Sequence, residues 1–339
     1  MVRMQKASSI ALLCLALSCA REAPTFLVFG ETMGTTWQLK LHTGADGAEA
    51  YQLVQDEVDS IERLMSPWIP ESDLSRFAAA EVGAPVVMDP MTLEVVALAI
   101  ETWEASGGAF DPTIGALVEA SGFGVALDVS EKSERAAALK TVGFDALKVD
   151  VEARSLVKLK EGVRLDLSAV AKGYAVDRAA GALIGAGYED FFLEVGGEVF
   201  CRGGNGEREG WVIGIEAPDM DPLAPRRVYA RLHLTGVGVA TSGDYRNRRQ
   251  LDGEESSHLF DPKTGEAVSA ELGSVTVIAG DCATADAYAT AAMVMGLEAG
   301  LKCLESKPGI EAIFIARDSE GAFIKHETSG CAELMLDRD

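Results

Sequence analysis

"ALKVDVEARSLVKLKEGVRLDLSAVAKGYAVDRAAGALI", residues Ala146 to Ile184, decides the fold class. Up to Ser168, apolar and polar residues alternate around polar breaks, the period-two signature of a hairpin or meander. From Ala169 to Ile184, small apolar residues recur at helical spacing instead. A strand pair that feeds a helix directly is not the strand–helix–strand alternation of a doubly wound sheet.

The flanking sequence agrees. Upstream, "FLVFGETMGTTWQLKLHT" (26–43) predicts two strands about a Gly-Thr-Thr turn, and residues 48–65 an amphipathic helix. Ser72 or Asp73 would cap a short helix. Asp89, with Pro90 at the first helical position, caps a longer one to Ala105. A helix from Ser133 stops at Gly143. Downstream, strands broken by Gly-rich turns run from Phe191 to Ala240, followed by a helix over 282–296 and a hairpin, "IEAIFIARDSEGAFIKHE" (310–327). Strands in runs, then helices, predict an α+β fold. No Pro/Ser-rich linker divides it, so a single intertwined domain of mixed or antiparallel sheets with packed helices is expected over about residues 26–330, with 331–339 as a tail.

The first twenty residues, "MVRMQKASSIALLCLALSCA", read as a secretory leader: basic Arg3 and Lys6, then an apolar core from Ile10 to Leu17 too short for a permanent span. "LALSC" resembles a lipobox, although Ala16 stands where Leu is commonest. Lipid attachment at Cys19 is therefore expected, with residues 20–25 as a short tether to the membrane. Of six cysteines, Cys201, Cys282, Cys303 and Cys331 remain beyond the leader. An oxidising compartment permits disulfides among them without sequence choosing a pairing, Cys282 with Cys303 being one possibility. The absence of any C-x-x-C argues against structural zinc.

The formal charge of −23 over 339 residues argues against a nucleic-acid partner, which requires a basic face. A phosphorylated ligand would need a local device, such as a metal or a helix N-terminus. "CATADAYATAAMVMG" (282–296) holds one carboxylate, Asp286, with Thr290 four residues on and so on the same helical face. A buried unpaired carboxylate costs several kcal/mol. Either a neighbouring Arg satisfies Asp286 while Thr290 bonds back to its own helix, or the pair binds a hard cation, for which one or two carboxylates suffice. At the start of the 169–184 helix, Asp166 and Lys172 either serve an anion or are surface residues, Lys172 pairing with Asp166 or Asp177.

Other stretches allow close approach or stacking. Met33 and Trp68, in "MGTTW" and "MSPWIPESDLSRF", suit a flat ring or the core equally. "GGAFDPTIG" sets Asp111 in a glycine-flanked turn, and "LEVGGEV" (193–199) is a strand interrupted by two glycines. "FDPTIG" (110–115) recurs as "FDPKTG" (260–265). Asp-Pro is ordinary turn chemistry, so coincidence is the simpler account; the other is two equivalent turns flanking one cleft. "ATSGDYRN" (240–247) offers hydroxyls but is not a G-x-S-x-G elbow. Of four histidines, His258 in "SHLFDPKTG" sits where an imidazole could act as a base. There is no H-E-x-x-H and no P-loop, and "GGNGEREG" is not a dinucleotide fingerprint.

The order of these blocks is more telling than any one of them. M-G-T-T-W, S-P-W-x-P-x-S-D-L-S-R-F, G-A-F-D-P-T-I-G, D-L-S-A-V-A-K-G-Y-A-V-D, L-E-V-G-G-E, A-T-S-G-D-Y-R-N, S-H-L-F-D-P-K-T-G and A-D-A-x-A-T-A follow one another. This series resembles the ApbE family of flavin transferases, whose fold is related to the T-fold. The resemblance implies an exported, lipid-anchored enzyme facing the periplasm that binds FAD with Mg²⁺. It would transfer the FMN half to a Thr or Ser hydroxyl of an exported or membrane acceptor protein, releasing AMP. Carried over by block, Asp286, Thr290 and the carbonyl of Ala169 would be metal ligands. Met33, Trp68, Ala109, Phe110, Asp111, Asp166, Lys172 and Phe260 would contact FAD, with Ser242 and Gly243 lining the same cleft. His258 and Asp286 would be catalytic, His258 as base for the incoming hydroxyl. The same pocket would also serve an FAD pyrophosphatase yielding FMN and AMP. A non-catalytic FAD-binding lipoprotein is the third reading.

Overall fold

Met33 and Gly34 both adopt positive φ (46° and 68°), the geometry of a two-residue hairpin turn, and they join β1 (Thr25–Thr32) to β2 (Thr35–His42) with Thr32 opposite Thr35. The computed structural model describes residues 25–43, 47–125, 129–218, 227–243, 248–251, 254–269 and 271–336. The leader, Cys19 and the expected tether to residue 24 lie outside them. After the hairpin come α1 (Gly47–Met65), α2 (Asp73–Ala79), β3 (Pro85–Val87), α3 (Pro90–Ala105), α4 (Gly115–Ala120) and α5 (Lys132–Leu139). The deciding stretch forms β4 (Leu147–Asp150), β5 (Ser155–Lys158) and α6 (Ser168–Gly185). Then follow β6 (Phe191–Val195), β7 (Glu198–Arg202), β8 (Trp211–Glu216), β9 (Val228–Leu234), β10 (Val237–Gly243), β11 (Arg248–Leu251) and β12 (Glu254–Ser257). The chain closes with β13 (Leu272–Ala279), α7 (Cys282–Met295), α8 (Leu297–Glu305), β14 (Glu311–Arg317), β15 (Phe323–Glu327) and α9 (Cys331–Leu334).

The expected α+β class holds. One antiparallel sheet runs β1-β2-β6-β7-β10-β13-β14-β15, and smaller antiparallel sheets form from β3-β5-β4, β8-β9 and β11-β12. The helix caps read from sequence form as expected: Ser72 Oγ accepts from Ser75 N (3.0 Å) and Asp89 Oδ1 from Met91 N (2.9 Å).

Both faces of the large sheet are covered at its centre. Val275, Val277 and Ala279 of β13 pack toward α7, and Ile278 packs toward the β8–β9 hairpin through Ile213, Ile215 and Leu232. Period-two alternation therefore vanishes in β13, where every residue is buried. Helix α7 joins two cores. Cys282, Ala283, Ala287 and Ala291 join the core shared with α6 and α3, while Ala285, Ala289 and Met293 face the sheet. Its alanines are what permit this closeness. A Cβ on Gly173 of α6 would lie 2.4 Å from the Cys282 carbonyl oxygen, so nothing larger than glycine fits without parting the helices.

Two expectations are revised. The segment after 330, read as a tail, begins with α9, which packs on β9 and β14 with Cys331 fully buried. The disulfides allowed by sequence do not form: Cys201, Cys282, Cys303 and Cys331 are all free thiols, and three of them are buried as small core residues.

Candidate active site

Every residue singled out for chemistry lines one cavity of about 1250 Å³: Met33, Trp68, Ala109, Phe110, Asp111, Asp166, Ala169, Lys172, Ser242, Gly243, His258, Phe260, Asp286 and Thr290. Pockets for single small ligands run roughly 300–1,000 Å³, so this volume suits a dinucleotide-sized molecule with space left over.

The floor is built where α6 meets α7. Asp286 is buried, and its Oδ2 accepts from Gly173 N at 3.1 Å with Lys172 Nζ 3.9 Å away. In a regular helix, the Gly173 N–H belongs to the carbonyl of Ala169. Its reach toward Asp286 ties the carboxylate to the helix turn that carries the Ala169 oxygen. On the far side Lys172 donates to Glu198 at the start of β7. The β6–β7 turn makes room for this: Gly196, at φ 62°, would set a Cβ 3.4 Å from Lys172 Cδ and 2.9 Å from Thr35. Thr290 Oγ1 shares a 2.9 Å hydrogen bond with Ser242 Oγ of β10, and Thr241 pairs with Thr276 at the same distance.

Charge on the floor is unbalanced. Two buried carboxylates face one ammonium. Burial raises the carboxyls of Asp286 and Glu198 above their ordinary range, against the pull of Lys172. Burial works against the Lys172 charge too, but Asp286 and Glu198 outweigh it and hold that amine above the usual lysine range. Glu198 Oε2 is buried with no hydrogen-bond partner among the described residues. An added cation would relieve both deficits. The residues lining this part of the cavity offer oxygens: the carboxylates of Asp286 and Glu198, the hydroxyls of Thr290 and Ser242, and the backbone carbonyl of Ala169. Such a set fits Mg²⁺, whose remaining positions are taken by phosphates and water. Among the described residues, no group of three or more His, Cys, Asp or Glu is placed to hold a metal ion.

The two Phe-Asp-Pro turns share one side-chain hydrogen bond and line the same cleft. Asp111 Oδ1 accepts from Thr113 N (2.9 Å), and Asp261 Oδ1 accepts from Lys263 N (2.8 Å), the same side-chain-closed turn. Both phenylalanines are buried against the cavity. The first turn is laced to the α6 approach by Asp166 N donating to Pro112 O at 2.8 Å. Burial raises the Asp111 carboxyl, countered by the hydrogen bonds from Thr113. His258 precedes the second turn, its ring 6.3 Å from that of Phe123. At the rim Trp68 is 59% exposed, and Met33 occupies the left-handed region, an unusual backbone state for a side-chain-bearing residue and one that collects at functional sites.

Three sequence readings change here. Lys172 does not pair with Asp166 or Asp177 on the surface; its partners are Glu198 and Asp286. Asp177 instead accepts from Cys282 N (2.7 Å) and Ala283 N (2.8 Å), capping α7. Asp286 is met by Lys172 and a backbone N–H rather than by an arginine. Glu198 was missed. Its signal was the carboxylate directly after the glycine pair in "LEVGGEV", on a strand predicted to end in a close approach.

A family model described as the ApbE family matches residues 33–314. The FAD:protein FMN transferase of Vibrio cholerae serotype O1 is 35% identical over 320 residues, 92% of this chain and 94% of that protein. The FAD:protein FMN transferase of Haemophilus influenzae is 32% identical over 340 residues, 96% and 97% of the two chains. Among solved structures, the flavin transferase ApbE from Vibrio cholerae matches with a TM-score of 0.82 at 32% identity, covering 92% of this chain and all of that one. The apo flavinyl transferase ApbE of Pseudomonas stutzeri gives the same TM-score at 31% identity over 94% and 99%. With eight motif blocks in order, a shared antiparallel core and a match over most of its length, the chain belongs to the ApbE family.

Proposed function

We propose that the protein transfers the FMN half of FAD to a Thr or Ser hydroxyl of another protein and releases AMP. The observation that carries this reading is the convergence of Asp286, Thr290, Ala169 and Lys172 on the floor of a cavity whose rim offers Trp68 and Met33. Relatives named FAD:protein FMN transferase support it. Asp286, Thr290 and the Ala169 carbonyl would hold Mg²⁺, which supplies positive charge to the diphosphate of FAD. Lys172 adds a second positive charge there, held in place by Glu198. Met33, Trp68, Ala109, Phe110, Phe260, Asp111 and Asp166 would shape and orient the dinucleotide, with Ser242 and Gly243 beside it.

The step balances without a further reactant. The acceptor oxygen bonds to the phosphorus of the FMN half, the P–O bond to the AMP half breaks, and AMP leaves with that electron pair. A ring nitrogen of His258 takes the hydroxyl proton; a positioned base of this kind is worth roughly 10²–10⁴ in rate. The expected setting is outside the cytoplasm, on a membrane reached through lipid at Cys19, with an exported or membrane acceptor. Nothing in an acidic chain of this kind favours nucleic acid.

Incubating the protein with FAD, Mg²⁺ and extracts of exported proteins tests the reading. AMP together with a fluorescent protein band is the expected result. AMP with free FMN would make the protein an FAD pyrophosphatase, and FAD binding with neither product would make it a carrier.

A further inference from the structure

Among the described residues, strand β8 is paired on one side only, with β9. The direction its other side faces follows from the register. Gly214 stands opposite Arg231, and the Arg231 carbonyl accepts from Leu336 N (2.9 Å) on the far side of β9. Cross-strand pairs in an antiparallel ladder alternate between bonding each other and pointing apart. Gly214 and, two residues earlier, Val212 therefore turn their N–H and C=O groups to the open edge of β8. All six residues of β8 line the cavity that holds Asp286 and Lys172, and Val212 is exposed. Trp211–Ile215, "WVIGI", carries no charge and no proline, the devices by which proteins usually blunt an open edge.

We propose that this edge is the docking strip for the acceptor: an extended segment of the target protein adds to β8 as a strand and is thereby threaded toward the cavity floor. The inference rests on the transfer reading and names how its second substrate is held. Continuity supports it. Trp211 stacks beside Phe192 of β6 (5.9 Å between ring centroids), and β6 runs from Phe192 to the Gly196 turn over Lys172. The β8 edge, the Gly196–Gly197 turn and the floor residues Lys172 and Asp286 all line one cavity, so a segment held along β8 lies in the cavity that holds the floor. Main-chain pairing suits an enzyme that takes an extended segment of a target protein, because affinity then comes from backbone and selectivity from alternate side chains.

The test uses fluorescein-labelled 12-residue peptides, each with one central Thr and alternating Val. A matched set is N-methylated at alternate backbone amides. Binding to the intact protein is read by anisotropy, FMN transfer by AMP release, and FAD affinity by flavin fluorescence. Val212→Pro deletes an N–H on the open edge and spares the ladder to β9, and Val212→Thr keeps that N–H. Expected is a loss of about tenfold in peptide affinity for Val212→Pro and for one N-methylated register on wild-type protein, with Val212→Thr and FAD affinity unchanged. Peptide affinity within twofold of wild type in both arms overturns the proposal, and so does a peptide set that fails to bind wild-type protein at all. Edge-dependent peptide binding without any transfer would leave docking standing and remove the transferase reading. Should Val212→Pro fail to fold, the N-methyl series on wild-type protein decides alone.

Discussion

The floor and the rim of the cavity are built on opposite principles. At the floor, Gly173, Ala169 and the alanines of α7 bring two helices so close that charge and backbone are fixed by packing. At the rim, Trp68 stands mostly in solvent and Met33 is held by a two-residue turn. A fixed floor suits chemistry, because groups already in place cost no reorganisation as charge develops. A rim half in water suits recognition, since each contact there adds modest affinity. Substitutions should therefore act on rate at the floor and on affinity at the rim.

The largest effect is expected from Asp286→Asn, which keeps shape and deletes the charge. Metal-borne charge stabilisation is worth several kcal/mol; at about 1.4 kcal/mol per decade that is a loss of roughly 10³ in kcat for AMP release. Stability should not fall, since a buried carboxylate is replaced by a neutral amide. Turnover within tenfold of wild type would break the contrast between floor and rim.

Gly173→Ala tests the packing rather than the charge. Its Cβ would meet backbone 2.4 Å away at Cys282, and overpacking of this kind costs about 1–3 kcal/mol. A rate loss of about 10–100-fold should accompany it, as for other displaced supporting groups. Gly181→Ala on the same helix meets nothing within 4 Å; there the gain in helix propensity should raise stability by about 0.5–1 kcal/mol and leave turnover alone. Thermal melts and AMP release on the pair separate local geometry from helix propensity.

At the rim, Trp68→Ala should raise KM for FAD about tenfold with kcat nearly unchanged, the loss of one stacking face being worth about 1–3 kcal/mol. A fall in kcat as large as that from Gly173→Ala would mean that the rim takes part in chemistry.

What the sequence disclosed follows the same division. Hairpins, caps and helices were legible because each is written in contiguous residues: the β4–β5 hairpin running into α6, Asp89 before Pro90, the turn at Met33–Gly34. Strand order was not, since β2 pairs β6 and β7 pairs β10 across long intervals, and periodicity carries no record of partners. The site residues emerged through the order of their motif blocks, as a resemblance, and the structure gathers all of them into one cavity. Glu198 escaped because a glutamate after two glycines looks like any turn residue until β7 is laid beside α6. Lys172 was matched with its sequence neighbours for a related reason. Asp177 lies five residues on, roughly 140° around the helix, and so faces α7 instead of the lysine.

Asp177 supplies the smallest and most easily isolated effect, because it supports the floor from outside the cavity by capping α7. Burial pushes its carboxyl up to about 7 from an ordinary 3.8, with Asp281 and Asp286 adding to the rise and the N–H groups of Cys282 and Ala283 opposing it. Between those values the folded protein keeps a proton that the unfolded chain has released. Stability therefore falls as pH rises from about 4 toward 7 and levels off above. Asp177→Asn removes that titration while retaining an acceptor oxygen for one of the two N–H groups. Its melting temperature should decline less than wild type between pH 5 and pH 7.5, by about 2–4 °C. The buried acids at Glu198 and Asp286 are shifted in the same direction and leave the remainder of the slope. Turnover per folded molecule at pH 7.5 should not change. If Asp177→Asn instead slowed transfer as Gly173→Ala does, the α7 cap would belong to the chemistry and the boundary between floor and support would have to be redrawn around it.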